Sequence, residues 1–413
     1  MKSSQPPAAR FWTPQKIRIF CGTMTGLMIV YIFWTYITDV PAKSMLKRGD
    51  FSAFYAAAMM VRQGLGARLY DVNLVSDIQN LYWPSLAGGY IFFPYPPYVA
   101  LVLAPLAWFP PLAAKFIFDI LMVLALVLAV RLTTRDIPAL KKNPLAVTAF
   151  CLSFFPLTFG VAGGQNIALS MMLYAAVLFF FAQDNPRAEW RTGICLGLWL
   201  FKPQFGVVLA ALFLLAGFYR VIGGMVLVAV VYYFLAVKVA GWGWIPLWLD
   251  FLKKYVSAES HYNYFNMISL VGFLDAAGQI LGLGARGLKI LHGLSALLSI
   301  LMLGFLLWIS LRLRTKKIFR RRADLLKLLR FAMPVILLAS PHTLFYDFGL
   351  CLVAWAPYMD LKTDRNISLL IIFTALATMV SSVRLSLPVQ PLFFGVAALL
   401  FYMGWKERDL LAS

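Results

Sequence analysis

The sequence is organised around one polar interruption, GDFSAFYAAAMMVRQG at residues 49–64, which follows the first long apolar segment. A helix capped by Asp50 or Ser52 would place apolar and aromatic side chains on one face at three- and four-residue spacing. Gly64 then ends the helix. The spacing predicts an amphipathic helix lying along a membrane surface, with an acid at its start. The residues on its predicted face are Phe51, Phe54, Tyr55, Ala58, Met59 and Arg62.

The composition is that of an integral membrane protein. Of the 413 residues, 62% are hydrophobic and 13% are charged. No polar stretch is long enough to fold as a separate soluble domain, so we expect a single domain over residues 1–413. The four cysteines lie apart in apolar runs, which favours core packing over disulfides. The three histidines form no motif with them that would bind a metal.

Hydropathy and charge predict about twelve membrane-spanning helices, with both termini in the cytoplasm. The first apolar run is too long for a cleaved signal peptide and predicts a span. Residues 39–111 are expected to form a first outer loop with the amphipathic helix and a Pro/aromatic segment, and residues 242–283 an aromatic outer loop. The predicted spans are Ile17–Thr38, Leu112–Leu132, Leu145–Val161, Ile167–Ala182, two short spans within Thr192–Arg220 broken at Lys202-Pro203, Val221–Ala240, Leu288–Leu311, Leu325–Ala339, Phe348–Leu361, Ile367–Val383 and Pro391–Trp405.

The net charge of +20 does not indicate a nucleic-acid partner. With this topology most Lys and Arg residues lie in short cytoplasmic segments, as the positive-inside rule requires. Arg62 and Lys202 fall on the outer side, against the rule. Both are candidates for binding an anion through charge-assisted hydrogen bonds. Snorkelling to lipid headgroups is the alternative, and it is the favoured interpretation for Arg62 alone.

Other polar residues of the outer side could contact a substrate. Asp50 could act as a general base on a hydroxyl or only cap its helix, and the spacing does not decide between these roles. His342 could polarise an acceptor or contact a leaving phosphate, whereas capping is the favoured role of Asp347. Gly163-Gly164-Gln165-Asn166 could offer amide hydrogen bonds or form a simple turn. Pro94-Tyr95-Pro96-Pro97 could stack on a sugar, although a rigid interfacial turn is the simpler interpretation.

Five motifs occur in order along the chain. They are Gly49-Asp50-Phe51 with Phe54-Tyr55, Gly64 and Leu69-Tyr70-Asp71; Tyr95-Pro96-Pro97 with Ala104-Pro105-Leu106; Gly164-Gln165-Asn166; Lys202-Pro203-Gln204; and Ser340-Pro341-His342 with Tyr346-Asp347. Together they resemble glycosyltransferase family 87, which includes polyprenol-phosphate-mannose-dependent α-mannosyltransferases. Each motif is short, but five in this order are fairly specific.

The resemblance implies an all-α polytopic membrane protein with the GT-C glycosyltransferase fold and an active site at the outer face. It implies Asp50 as the general base and His342 as a second catalytic residue. Lys202, and secondarily Arg62, would contact the phosphate of a polyprenyl-phosphate-linked donor. No second acid lies beside Asp50 in the sequence, which favours a reaction without a metal or other cofactor. The further substrate-binding candidates are Tyr55, Tyr95, Gln165, Asn166, Gln204 and Asp347.

The predicted function is the inverting transfer of a hexose, such as mannose, to a lipid or glycan acceptor at the periplasmic face of a bacterial inner membrane. A polyprenyl phosphate is a good leaving group, so catalysis mainly needs a base for the acceptor hydroxyl and cations for the phosphate. One alternative is a transporter or flippase of a lipid-linked sugar, for which inverted repeats and ionisable residues near the bilayer midplane are expected. No repeat is found, and the charges lie at helix ends. A non-catalytic scaffold is a further alternative.

Overall fold

The computed structural model shows an all-helical chain over the residues that it describes. These are residues 50–82, 90–137, 154–358 and 392–412, together with residues 19, 23, 141, 147, 148, 151 and 152. Within them the regular elements are α-helices and 3-10 turns, without a β-strand. The all-α prediction is confirmed for this part of the chain. The predicted spans Ile17–Thr38 and Ile367–Val383 lie outside the described residues, apart from residues 19 and 23.

The described residues form the following helices. In chain order they are α1 (Phe51–Arg62), α2 (Val72–Tyr82), α3 (Pro97–Leu103), α4 (Pro111–Thr134), α5 (Phe155–Ala162), α6 (Ile167–Phe181), α7 (Pro186–Leu198), α8 (Pro203–Leu215), α9 (Tyr219–Ala240), α10 (Trp244–Tyr262), α11 (Leu270–Ile280), α12 (Ala285–Leu313), α13 (Ile318–Ala339), α14 (Gly349–Trp355), α15 (Leu392–Lys406) and α16 (Arg408–Ala412). The 3-10 turns are Gly66–Arg68, Ala104–Trp108, Trp199–Phe201, Tyr264–Asn266, Phe345–Phe348 and Ala356–Tyr358.

Helix α1 is enclosed by protein. It ends as predicted, because Gly64 adopts a positive φ of 73° and the N–H of Leu65 bonds back to the carbonyl of Met60. All ten residues from Phe51 to Met60 are buried, since α2, α3, α4 and the turn Ala104–Trp108 pack around the helix. The predicted helix is present, but its position along a membrane surface is not confirmed, because residues on all its sides are buried in protein. The small side chains of Ala53 and of Ala56 to Ala58 let neighbouring elements approach the helix closely.

Fewer helices qualify as membrane spans than predicted. In the described part of the chain, α4, α9 and α12 are each long and apolar enough to cross a membrane. The pair α5 and α6 passes the same test jointly but is bent by 118°. Helices α9 and α12 bury only 17% and 22% of their most apolar stretches, so long rows of apolar side chains are available to lipid. The structure thus supports a membrane protein, but twelve spans are not confirmed.

Two helix breaks position polar residues near the start of α1. Helix α8 begins at Pro203, so the predicted break at Lys202-Pro203 is confirmed; proline lacks the N–H that a continuous helix would need. Between α5 and α6, Gly164 has a φ of 72°. A Cβ at Gly164 would lie only 2.4 Å from Cβ of Phe51. This close approach holds the start of α1, and with it Asp50, against the α5–α6 turn.

Gly164→Ala is expected to destabilise the protein through two costs. Alanine at positive φ costs about 1–2 kcal/mol, and crowding against Phe51 adds about 1–3 kcal/mol. Gly64→Ala is the matched control, because Gly64 has a φ of 73° but no neighbour within 4 Å. Thermal unfolding of both variants in the same detergent compares them. Equal losses in the two variants would contradict the contact between Gly164 and Phe51.

Candidate active site

A cavity of about 210 Å³ lies where the starts of α1 and α8 meet α10 and the segment that follows α13. Four of the five sequence motifs contribute to its wall, although they are separated by up to about 300 residues. The polar side chains in the lining come from Asp50, Tyr95, Lys202, Gln204, Trp248, Tyr255, Ser340, His342, Tyr346 and Asp347. The fold therefore gathers six of the predicted site residues around one space: Asp50, Tyr95, Lys202, Gln204, His342 and Asp347.

A buried ion pair joins two sides of this cavity. The ammonium of Lys202 lies 2.8 Å from Oδ1 of Asp347, and the two side chains are 8% and 4% exposed. Oδ2 of Asp347 accepts the backbone N–H of Leu344 at 3.2 Å, so the predicted capping role of Asp347 is also present. The rings of Phe205 and Tyr346 lie 5.9 and 5.7 Å from the ammonium and add cation–π attraction. Opposite charge and hydrogen bonding together compensate for the removal of both ions from water.

Asp50 sits at the N-cap of α1, but its side chain does not cap the helix. The hydroxyl of Tyr95 is within hydrogen-bonding range of the Asp50 carboxylate and of the Asn166 amide. Burial raises the pKa of Tyr95 well above its ordinary value, and the charges of Asp50 and Asp347 add to this effect. Tyr95 therefore presents a neutral hydroxyl to the carboxylate of Asp50. The Asp50 carboxylate therefore contacts Tyr95 in the cavity wall and does not cap α1.

The segment bearing Tyr95 is clamped from several sides. The hydroxyl of Tyr70 donates to the backbone carbonyl of Tyr95 at 2.9 Å, and the indole N–H of Trp248 donates to the carbonyl of Pro94 at 3.1 Å. The ring of Tyr95 contacts the ring of Phe54, with 5.1 Å between centroids. Proline residues leave carbonyls without neighbouring N–H donors, so these side-chain donors supply the missing partners. The Pro/aromatic segment is accordingly a fixed wall of the cavity.

His342 is held at the opposite wall by α10. Its Nε2 lies 2.7 Å from the hydroxyl of Tyr255, and the two rings meet edge to face with centroids 5.0 Å apart. Burial lowers the pKa of His342 to about 4, an effect opposed by the charge of Asp347 and assisted by that of Lys202. The imidazole is therefore neutral near pH 7. A neutral imidazole can donate or accept a hydrogen bond but does not add a positive charge to the cavity.

Four predicted site residues do not line the cavity. Arg62 donates a hydrogen bond to the carbonyl of Ala107, and Tyr55 donates to the carbonyl of Phe109 at 2.9 Å, so both side chains tie α1 to the segment before α4. Gln165 and Asn166 are buried at the α5–α6 turn behind Tyr95. Within the described residues, Oε1 of Gln165 and Oδ1 of Asn166 have no hydrogen-bond partner.

The family model of glycosyltransferase family 87 matches residues 92–341. This match covers more than half of the chain. The chain belongs to glycosyltransferase family 87. No curated protein and no solved structure gives a significant match. Membership confirms the family that the five motifs indicated and makes the protein a glycosyltransferase.

The matched region of this family 87 chain contains much of the cavity but not all of it. Tyr95, Lys202 and Gln204 lie inside residues 92–341, His342 and Asp347 lie just beyond its end, and Asp50 lies well before its start. In the structure, the residues inside the matched range and those outside it line the same cavity. Within the described residues, no group of three or more His, Cys, Asp and Glu side chains is arranged to hold a metal ion.

Helix α10 supplies one face of the cavity from the aromatic region 242–283, for which the sequence left an acceptor contact and an aromatic belt as alternatives. Its side chains in the lining recur at helical spacing, so one face of α10 covers the cavity. The sequence interpretation treated residues 242–283 as an aromatic loop, while the structure has α10, a 3-10 turn and α11 there. The periodicity of this face could have revealed the helix. The residues concerned are Trp248, Leu252, Tyr255 and Val256.

Breaking the ion pair of the family 87 site should be more costly than removing it. Lys202→Met or Asp347→Asn alone leaves a buried charge without its partner, which typically costs about 3–5 kcal/mol. The double variant leaves no uncompensated charge and should lose less stability than the sum of the two single losses. Thermal unfolding of the three variants in one detergent provides the comparison. Strictly additive losses would show that the pair is not coupled as the 2.8 Å distance indicates.

Proposed function

We propose that this glycosyltransferase moves a hexose, such as mannose, from a polyprenyl-phosphate donor to a hydroxyl of a lipid or glycan acceptor. The observation that carries the proposal is the composition of the cavity wall. It combines a carboxylate at the start of α1 with an ammonium at the start of α8. Transfer from a sugar phosphate needs these two groups: a base for the attacking hydroxyl and a cation for the departing phosphate.

The start of α8 suits the donor phosphate. An ammonium has three N–H donors, and the bond from Lys202 to Asp347 uses one of them. Pro203 and Gln204 form the first turn of α8 and also line the cavity, so the positive end of the helix dipole faces the same space. The N-terminus of a helix beside an ammonium favours an anion. Asp347 then sets the position of Lys202 and moderates its charge, so that the phosphate product can leave.

Asp50 is the base in this scheme. The acceptor oxygen attacks the anomeric carbon, its proton passes to the Asp50 carboxylate, and the bond between the anomeric carbon and the phosphate oxygen breaks. The electron pair of that bond leaves with the polyprenyl phosphate, which Lys202 stabilises. A single displacement of this kind inverts the anomeric configuration. His342 and Tyr95 are placed to orient hydroxyls of the sugar or the acceptor.

The cavity is proposed to face the periplasm of a bacterial inner membrane. Helix α13 has 22 residues and is polarised: its charged residues lie between Arg320 and Arg330, and the nine residues from Phe331 to Ala339 are uncharged. Its first turns carry Arg320, Arg321 and Arg322, and its last residue leads to Ser340 in the cavity wall. The positive-inside rule assigns the arginine end to the cytoplasm. The cavity then lies at the opposite, outer side.

Asp50→Asn is expected to abolish sugar transfer while the protein stays folded. The amide keeps the size of the side chain but cannot take up the acceptor proton, so turnover should fall about 10²–10⁴-fold. Transfer from polyprenyl-phosphate mannose to a membrane lipid extract measures turnover, with thermal unfolding as the check on folding. The matched control is Asp77→Asn, an exposed acid on α2. Full turnover in Asp50→Asn would remove Asp50 from the mechanism.

The same assay separates the alternatives. We propose a reaction without a metal, so a chelator should leave the rate unchanged; a loss that a divalent ion restores would contradict this part of the proposal. In sealed vesicles, movement of the lipid-linked sugar without a new glycosidic product would support a flippase instead. A different hexose as the transferred sugar would change the donor assignment and leave the roles of Asp50 and Lys202 in place.

A further inference from the structure

The strongest unassigned feature near the cavity is the contact between α10 and His342. Tyr255 is on the face of α10 that lines the cavity, one turn away from Leu252. It is only 9% exposed and is wedged between His342 and Phe92, with ring centroids 5.0 and 5.4 Å apart. Its hydroxyl reaches Nε2 of His342 at 2.7 Å. These two edge-to-face ring contacts restrict the directions in which the hydroxyl can point.

Among the described residues, the hydroxyl of Tyr255 is the one polar contact of the His342 ring. Within the described residues, Nδ1 of His342 is enclosed and has no hydrogen-bond partner. The backbone of His342 is held by Ser340 through contacts of 3.3 and 3.4 Å, but those contacts do not reach the ring. Rotation of the ring about its Cβ–Cγ bond is therefore opposed by a single polar contact. A hydroxyl can donate to Nε2 or accept from it. Because an enclosed N–H without an acceptor is costly, the partnerless Nδ1 favours the tautomer in which Nε2 carries the proton and donates to the Tyr255 hydroxyl.

We propose that Tyr255 is a positioning residue of the active site: it fixes the orientation and tautomer of His342 through the hydrogen bond to Nε2. The inference rests on the proposed function, in which His342 contacts the reacting sugar or acceptor. It also assigns a role to α10. The helix forms the cavity wall through Trp248 and Leu252 and sets the geometry of a catalytic side chain through Tyr255.

The test is a double-mutant cycle with a spectroscopic readout. Tyr255→Phe keeps the ring packing and removes only the hydroxyl. It should lower kcat by about threefold to tenfold, the usual effect of one hydrogen bond, with little change in KM. In a His342→Gln background, Tyr255→Phe should have no further effect, because its target is gone. Tyr233→Phe, on α9 and away from the cavity lining, is the matched control and should keep the wild-type rate.

An assay without turnover keeps the proposal separate from the proposed function. Protein labelled with ¹⁵N-histidine should show one tautomer for His342 in the wild type and an average of two tautomers in Tyr255→Phe. The signal that disappears in His342→Gln identifies the residue. A fixed tautomer in Tyr255→Phe, or equal losses of kcat in the wild-type and His342→Gln backgrounds, would overturn the positioning role. Averaging without any sugar transfer by the wild type would support the pair but contradict the proposed function.

Discussion

The ion pair between Lys202 and Asp347 is the constraint on which the site depends. The two residues are 145 positions apart in the sequence and are almost completely buried. Each charge alone would cost several kcal/mol to remove from water, so the fold must bring them together. Their contact joins the start of α8 to the turn Phe345–Phe348. Once these elements meet, Gln204, His342 and Tyr346 necessarily surround the same space.

Several polar side chains of the cavity lie at breaks between apolar helices. A continuous helix satisfies its own backbone and presents only side chains, whereas a break leaves N–H and C=O groups that need partners. Here the breaks before Pro203 and after Ala339 border the cavity, and the break at Gly164 packs against Phe51 beside Asp50. Side chains then replace backbone partners, as Trp248 does for Pro94 and Asp347 does for Leu344. A membrane enzyme can thus place a charged site among apolar helices without a separate soluble domain.

Local signals in the sequence predicted much of this arrangement. Proline at 203 and glycine at 64 act on their own backbone, so the break before α8 and the end of α1 were predictable. The resemblance to family 87 also implied that Asp50, Lys202 and His342 belong to one site, and all three line the cavity. These predictions needed no knowledge of packing.

Other features depend on packing that a single sequence does not reveal. The exposure of α1 depends on the elements that pack against it. In this fold α3 and α4 are among them, and the helix is buried. Arg62 reads as a cation for an anionic ligand, but its nearest partner is the carbonyl of Ala107, 45 residues away in the sequence. Asp347 lies beside no other acid in the sequence, yet it shares the cavity with Asp50. Long-range contacts of this kind set the charge of the cavity.

A structure with a non-hydrolysable polyprenyl-phosphonate sugar bound is the most direct test of the central claim. The account predicts that the phosphonate oxygens lie within hydrogen-bonding distance of Nζ of Lys202 and the first turn of α8. The anomeric carbon should face the side of the cavity that holds Asp50. A phosphonate bound elsewhere, with the Lys202–Asp347 pair undisturbed and no sugar beside Asp50, would contradict the claim that this cavity is the transfer site.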